Sequence, residues 1–154
     1  MPGTYRAARI WHPWRHLGQH YPHVAVIRCE LPENLRATWT KRAIFLQHTL
    51  NQTERRCVLT HEIIHLERGP VPRHPAFAAM EERIVANLAA RRLISLRALT
   101  DALHWVGLED RAALADELWV DELTLRVRLR HLTHRERAAV NQALIQRRPW
   151  NMDL

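Results

Sequence analysis

The chain is 154 residues long, room for one compact domain or a domain with a small appendage. Its 47% hydrophobic and 25% charged residues are ordinary for a globular protein, and no apolar run approaches the ~20 residues of a membrane span. The formal charge of +7 rests on arginine, with Lys41 the one lysine, and such a composition is weak evidence for a nucleic-acid surface.

From Met1 to Leu17 the chain is broken by Arg6, Arg9, Pro13 and Arg15 and lacks the apolar stretch of a signal peptide, so a cytoplasmic protein is expected. Cys29 and Cys57 are too few for a disulfide scaffold, which agrees with reduced thiols. A short helix should start at Pro13 and end at Gly18. His12, His16, His20 and His23 recur every three or four residues, but Pro13, Gly18 and Pro22 interrupt a helix that would align them. Residues 23–29 are β-branched and read as a strand, and 31–35 as a loop. Residues 37–40 and 43–46 then read as a hairpin turning at Lys41-Arg42.

A helix is predicted over 52–68. Asn51 followed by Glu54 makes a capping box at its start, and Gly69-Pro70 supplies its stop. After Pro72 and Pro75 a second helix is predicted over 76–94. Beyond Ser95 the pattern changes to short amphipathic helices over 96–105, 110–118, 122–132 and 135–147, with Thr133 and Glu136 forming another capping box. A boundary near residue 95 therefore separates 1–95 from a C-terminal helical segment, 96–154. The expected class is α+β, with a small antiparallel sheet leading into the first long helix.

That helix contains His61-Glu62-Ile63-Ile64-His65, the pattern H-E-x-x-H. Four residues are close to one helical turn, so both imidazoles aim at one point, and Glu62 lies about 100° round the axis. Two imidazoles, one carboxylate and an open position make a catalytic zinc site. Glu62 is then the proton-transferring base rather than a ligand. Three polar side chains in so apolar a helix are otherwise costly.

A third ligand must come from elsewhere. Arg68 and Val71 stand where a metzincin needs glycine and histidine, which excludes that class. Glu81 and Glu82 on the following helix are the candidates. Phe77, Met80, Ile84 and Leu88 define its apolar face, with Glu81 nearer the centre. Glu82 instead shares a stripe with Val85 and Ala89, short side chains that would let the metal helix approach.

Here the sequence resembles the ImmA/IrrE family of zinc metallo-endopeptidases. The resemblance runs over about residues 13–132 and is most specific over 54–94. It is carried by the H-E-x-x-H helix, by 50–56 and 65–69 flanking it, and by Ala89-Ala90 and Leu93-Ile94. Anchoring on those last pairs places the family's small pair at Val85-Ala86, where valine replaces the usual alanine, and its ligand glutamate at Glu82. The resemblance therefore implies zinc held by His61, His65 and Glu82, in the gluzincin manner. It also implies selective cleavage of a helix-turn-helix repressor of a prophage or mobile element.

Residues 114–129 have the rhythm of a helix-turn-helix, whose second helix would present Arg126, Arg128 and Arg130. Trp119 at the turn and the negative Asp121-Glu122 disfavour DNA phosphates, so a structural or substrate-docking role is expected. The alternative function is a zinc-containing regulator that binds DNA or a repressor without cutting it. His48 and His74, near the motif in sequence, read as incidental.

Overall fold

The structure is a computed structural model and describes residues 10–147. Its elements in chain order are α1 (Pro13–His20), β1 (Ala25–Cys29), β2 (Ala37–Trp39), β3 (Ala43–Gln47), α2 (Gln52–Arg68), α3 (Pro75–Leu93), α4 (Leu96–Leu103), α5 (Arg111–Glu117), α6 (Glu122–Arg130) and α7 (His134–Ile145). This is the α+β arrangement expected: a small sheet against helix α2, a second helix α3 beside it, and C-terminal helices following. Among the described residues no helix is long and apolar enough to cross a membrane.

The strands lie in the order β1-β3-β2. β2 and β3 form the expected antiparallel hairpin, Thr38 facing Phe45. β1 instead pairs parallel to β3, so the sheet is mixed rather than antiparallel. The cause is the 30–36 connection, which carries the chain past β3 to its far side. Gln47 fastens that connection: its side-chain amide donates to Leu31 O at 3.0 Å, while Oε1 accepts from Leu31 N at 3.2 Å. Among the described residues β2 is left at an edge of the sheet.

α1 does not stop at Gly18 but runs to His20. Burial of Leu17 in the sheet-side core outweighs the roughly 1 kcal/mol cost of a helical glycine. His16 and His20 are consequently aligned, their rings 4.5 Å apart, and His16 also meets Glu67 at 3.0 Å.

α2 has the bounds read from the sequence. Asn51 Oδ1 accepts from Glu54 N, Glu54 Oε2 accepts from Asn51 N, and Gly69 adopts a φ of 94° that glycine tolerates best. It is buried along much of its length because two cores flank it. Val58, Leu59 and Ile63 pack with Ile44 and Leu46 of the sheet. Cys57 belongs to a larger cluster with Leu93, Leu99, Leu103, Leu114 and Leu125, drawn from α3 to α6.

Arg56, 1% exposed, ties these parts together. It donates to Trp11 O at 3.2 Å and to Trp119 O at 2.7 Å, and its guanidinium lies 4.6 Å from the Trp119 ring centroid. Those contacts hold Trp119 in the left-handed region at φ 54°, the turn between α5 and α6 where glycine is usual.

α6 does not present Arg128. That side chain is 2% exposed; its Nε donates to Ile94 O at 2.9 Å and its Nη2 meets Glu136 at 2.8 Å. Arg126 and Arg130 do face outward.

Candidate metal centre

The apolar face expected for α3 is the wrong one. Phe77 (58% exposed) and Met80 (49%) point to solvent, and Ile84 and Leu88 are exposed beside them. The buried stripe is Val85, Ala89, Ala90 and Leu93. Val85 and Ala89 form a small core with Ile64 of α2. Short side chains decide this choice, because they let two helix backbones approach closely where large ones would hold them apart.

One turn before Val85 on that stripe stands Glu82. Its Oε2 lies 3.1 Å from His61 Nε2 and its Oε1 lies 2.9 Å from His65 Nε2. Glu81 is turned away to Arg68, whose Nη2 donates to its Oε2 at 3.0 Å. Among the described residues His61, His65 and Glu82 are the group able to hold a metal ion, their ligand atoms within 4.8 Å of one another.

The donor chemistry fits zinc. Burial first, and the neighbouring His65 second, push the His61 imidazole below its ordinary pKa, against the opposing pull of Glu82. A neutral imidazole is the ligand form. Two nitrogens and one carboxylate oxygen are the donor set of an H-E-x-x-H zinc centre that keeps a position open. The arrangement is of gluzincin type.

The surroundings orient these groups. His65 is buried, and Trp39 of the edge strand β2 stacks on its ring at 6.3 Å with planes 15° apart. Thr60, next to His61, accepts from the Trp11 indole at 2.9 Å and itself donates to Arg56 O at 2.8 Å. Glu62 is 8% exposed and no ligand atom of the trio belongs to it. Burial, helped by the charge of Glu82, pushes its carboxyl up to about 7.

His61 and Glu62 also line a cleft of about 360 Å³, together with Arg36, Asp121 and residues of α3 and α6. His48 and His74 are engaged elsewhere: His48 with Gln47, and His74 as the N-cap of α3, its Nδ1 accepting from Ala76 N. Set against known protein families, curated proteins and solved structures, the chain matches none.

Trp39, Arg36 and Asp121 were not legible as site residues in the sequence. Trp39 had one available signal, its place in the hairpin that leads into the motif helix. Arg36 and Asp121 had none, since 85 residues separate them and only the fold makes their 3.2 Å contact.

Proposed function

We propose that the protein is a zinc-dependent endopeptidase acting on one regulatory protein, a helix-turn-helix repressor of a prophage or mobile element. The observation that carries the peptidase reading is the placing of Glu62. It is a carboxylate on the metal-binding helix, outside the ligand trio, buried, and lining a cleft that reaches the same histidine. A purely structural zinc site has no use for such a group. The choice of repressor rests on the resemblance to the ImmA/IrrE family alone.

A zinc ion held by His61, His65 and Glu82 would act as a Lewis acid on the substrate carbonyl. Glu62 takes a proton from the attacking water as the carbon–oxygen bond forms. It returns that proton to the departing nitrogen as the carbon–nitrogen bond breaks. β2, an edge of the sheet beside α2, offers backbone groups along which an extended peptide can lie. Trp39 keeps the His65 ring in plane, and Glu82 is set by the packing of Val85 and Ala89.

Glu62→Gln is the test. The variant should keep its zinc, measured by atomic absorption, and its thermal unfolding midpoint, and lose cleavage of a helix-turn-helix repressor that the wild type cuts by about 100-fold or more. Cleavage at the wild-type rate would refute the mechanism. Loss of zinc would make Glu62 a ligand instead.

A further inference from the structure

Resting on the peptidase reading, we infer that the cleft beside the metal centre is a specificity pocket. It takes a large uncharged apolar side chain flanking the scissile bond, and α6 supplies one of its walls. Ala86 and Ala89 of α3, Leu123 and Val127 of α6 and Val58 of α2 line it. Small residues on α3 leave the room. At about 360 Å³ the space exceeds the roughly 300 Å³ at which ligand-sized clefts begin.

On the wall away from the metal centre, Arg36, Asp121 and Cys57 are matched with one another. Arg36 Nη2 meets Asp121 Oδ2 at 3.2 Å, Asp121 Oδ1 accepts from Thr124 N at 2.8 Å, and Asp121 N donates to Cys57 Sγ at 3.4 Å. Away from His61 and Glu62, the charges of that wall are those of the Arg36–Asp121 pair, which offset each other, so burial of apolar surface is what an occupant gains. The pocket opens on His61 and Glu62, which puts its occupant next to the bond being cut.

Two hydroxamate-capped dipeptides test this on the zinc-loaded full-length protein, one with an isobutyl group beside the chelating end and one with hydrogen there. Burying the isobutyl group should tighten binding roughly tenfold to hundredfold, measured by calorimetry. Ala86→Phe fills the space and should abolish that preference. Leu123→Asp is the second variant, on an exposed first-turn position where an acid suits the helix terminus and folding is safe. It should cut the preference at least fivefold. Equal affinity of the two probes for the wild type, or an unchanged preference in zinc-loaded Leu123→Asp, would overturn the pocket.

A peptide mixture made by cutting a bacterial lysate at glutamate separates this from the reading beneath it. Probe preference with neither a peptide nor a helix-turn-helix repressor cleaved leaves the pocket standing and removes the peptidase. Cleavage with no side-chain preference at either flank does the reverse. Failure to take up zinc, and with it to bind either probe, removes both.

Discussion

Two adjacent glutamates on one helix have opposite fates, and what separates them is which stripe of α3 is buried. Glu82 meets both histidines, whereas Glu81 meets Arg68. His61→Ala and His65→Ala should each abolish stoichiometric zinc, and Glu82→Ala should weaken binding by roughly 10- to 100-fold or more. Glu81→Ala should retain the metal; a zinc-free Glu81→Ala beside a zinc-loaded Glu82→Ala would reverse the assignment. The two histidines and Glu62 were readable from spacing alone, since helical geometry fixes their relative directions. The choice of glutamate was not readable from hydrophobicity. Phe77, Met80, Ile84 and Leu88 make the more apolar stripe, yet the closely packed one is built from Val85 and Ala89.

Among the elements, α7 shows how a cap can carry more than a helix end. Glu136 accepts from Thr133 N at 2.9 Å as its part of a capping box, and the same carboxylate pairs with Arg91 at 2.9 Å and with buried Arg128 at 2.8 Å. The Arg128 hydrogen bond first, then Arg91 and the Thr133 amide, hold the Glu136 carboxyl far below its ordinary range. A lowered carboxylate pKa contributes stability that is full above the unfolded value of ~4.3 and is lost as pH falls below it. Glu136→Gln leaves Arg128 buried with its charge unbalanced, a change worth about 3–5 kcal/mol. Urea denaturation at pH 7 should show that loss, and the variant's stability should vary less than the wild type's between pH 5 and pH 2. An unchanged midpoint would show that Arg128 finds another partner. Both capping boxes could be read in advance because each lies within four residues of sequence. Burial of Arg128 could not, because its partners are Ile94 O and a carboxylate on the next helix.

For the whole molecule, the change of pattern at residue 95 marks where long helices give way to short ones. Packing runs across it. Cys57, Ile94, Leu99, Leu114 and Leu125 are in one cluster, Arg56 reaches Trp119, and Arg36 reaches Asp121. A chain cut after residue 95 should therefore fail to fold, losing helical circular dichroism and zinc together. A folded, zinc-binding 1–95 fragment would show instead that the two stretches are independent. The parallel β1–β3 pairing was beyond sequence reading for a related reason: strand order depends on where a connection crosses, and residues 30–36 have no pattern that says which edge they reach.

The stack of Trp39 on His65 has a spectroscopic consequence. An indole 6.3 Å from an imidazole, with planes 15° apart, senses any change in the charge on that ring. Among the described residues, Trp39 is a tryptophan whose stacked partner is a candidate ligand. Adding zinc to metal-free protein should therefore change the intensity or wavelength of tryptophan emission until one equivalent is bound. Trp39→Phe should erase most of that change while leaving zinc stoichiometry intact. An equal response in the variant would mean that the light comes from elsewhere. If the response is Trp39's, occupancy of the centre can be followed in real time, without label and without a substrate.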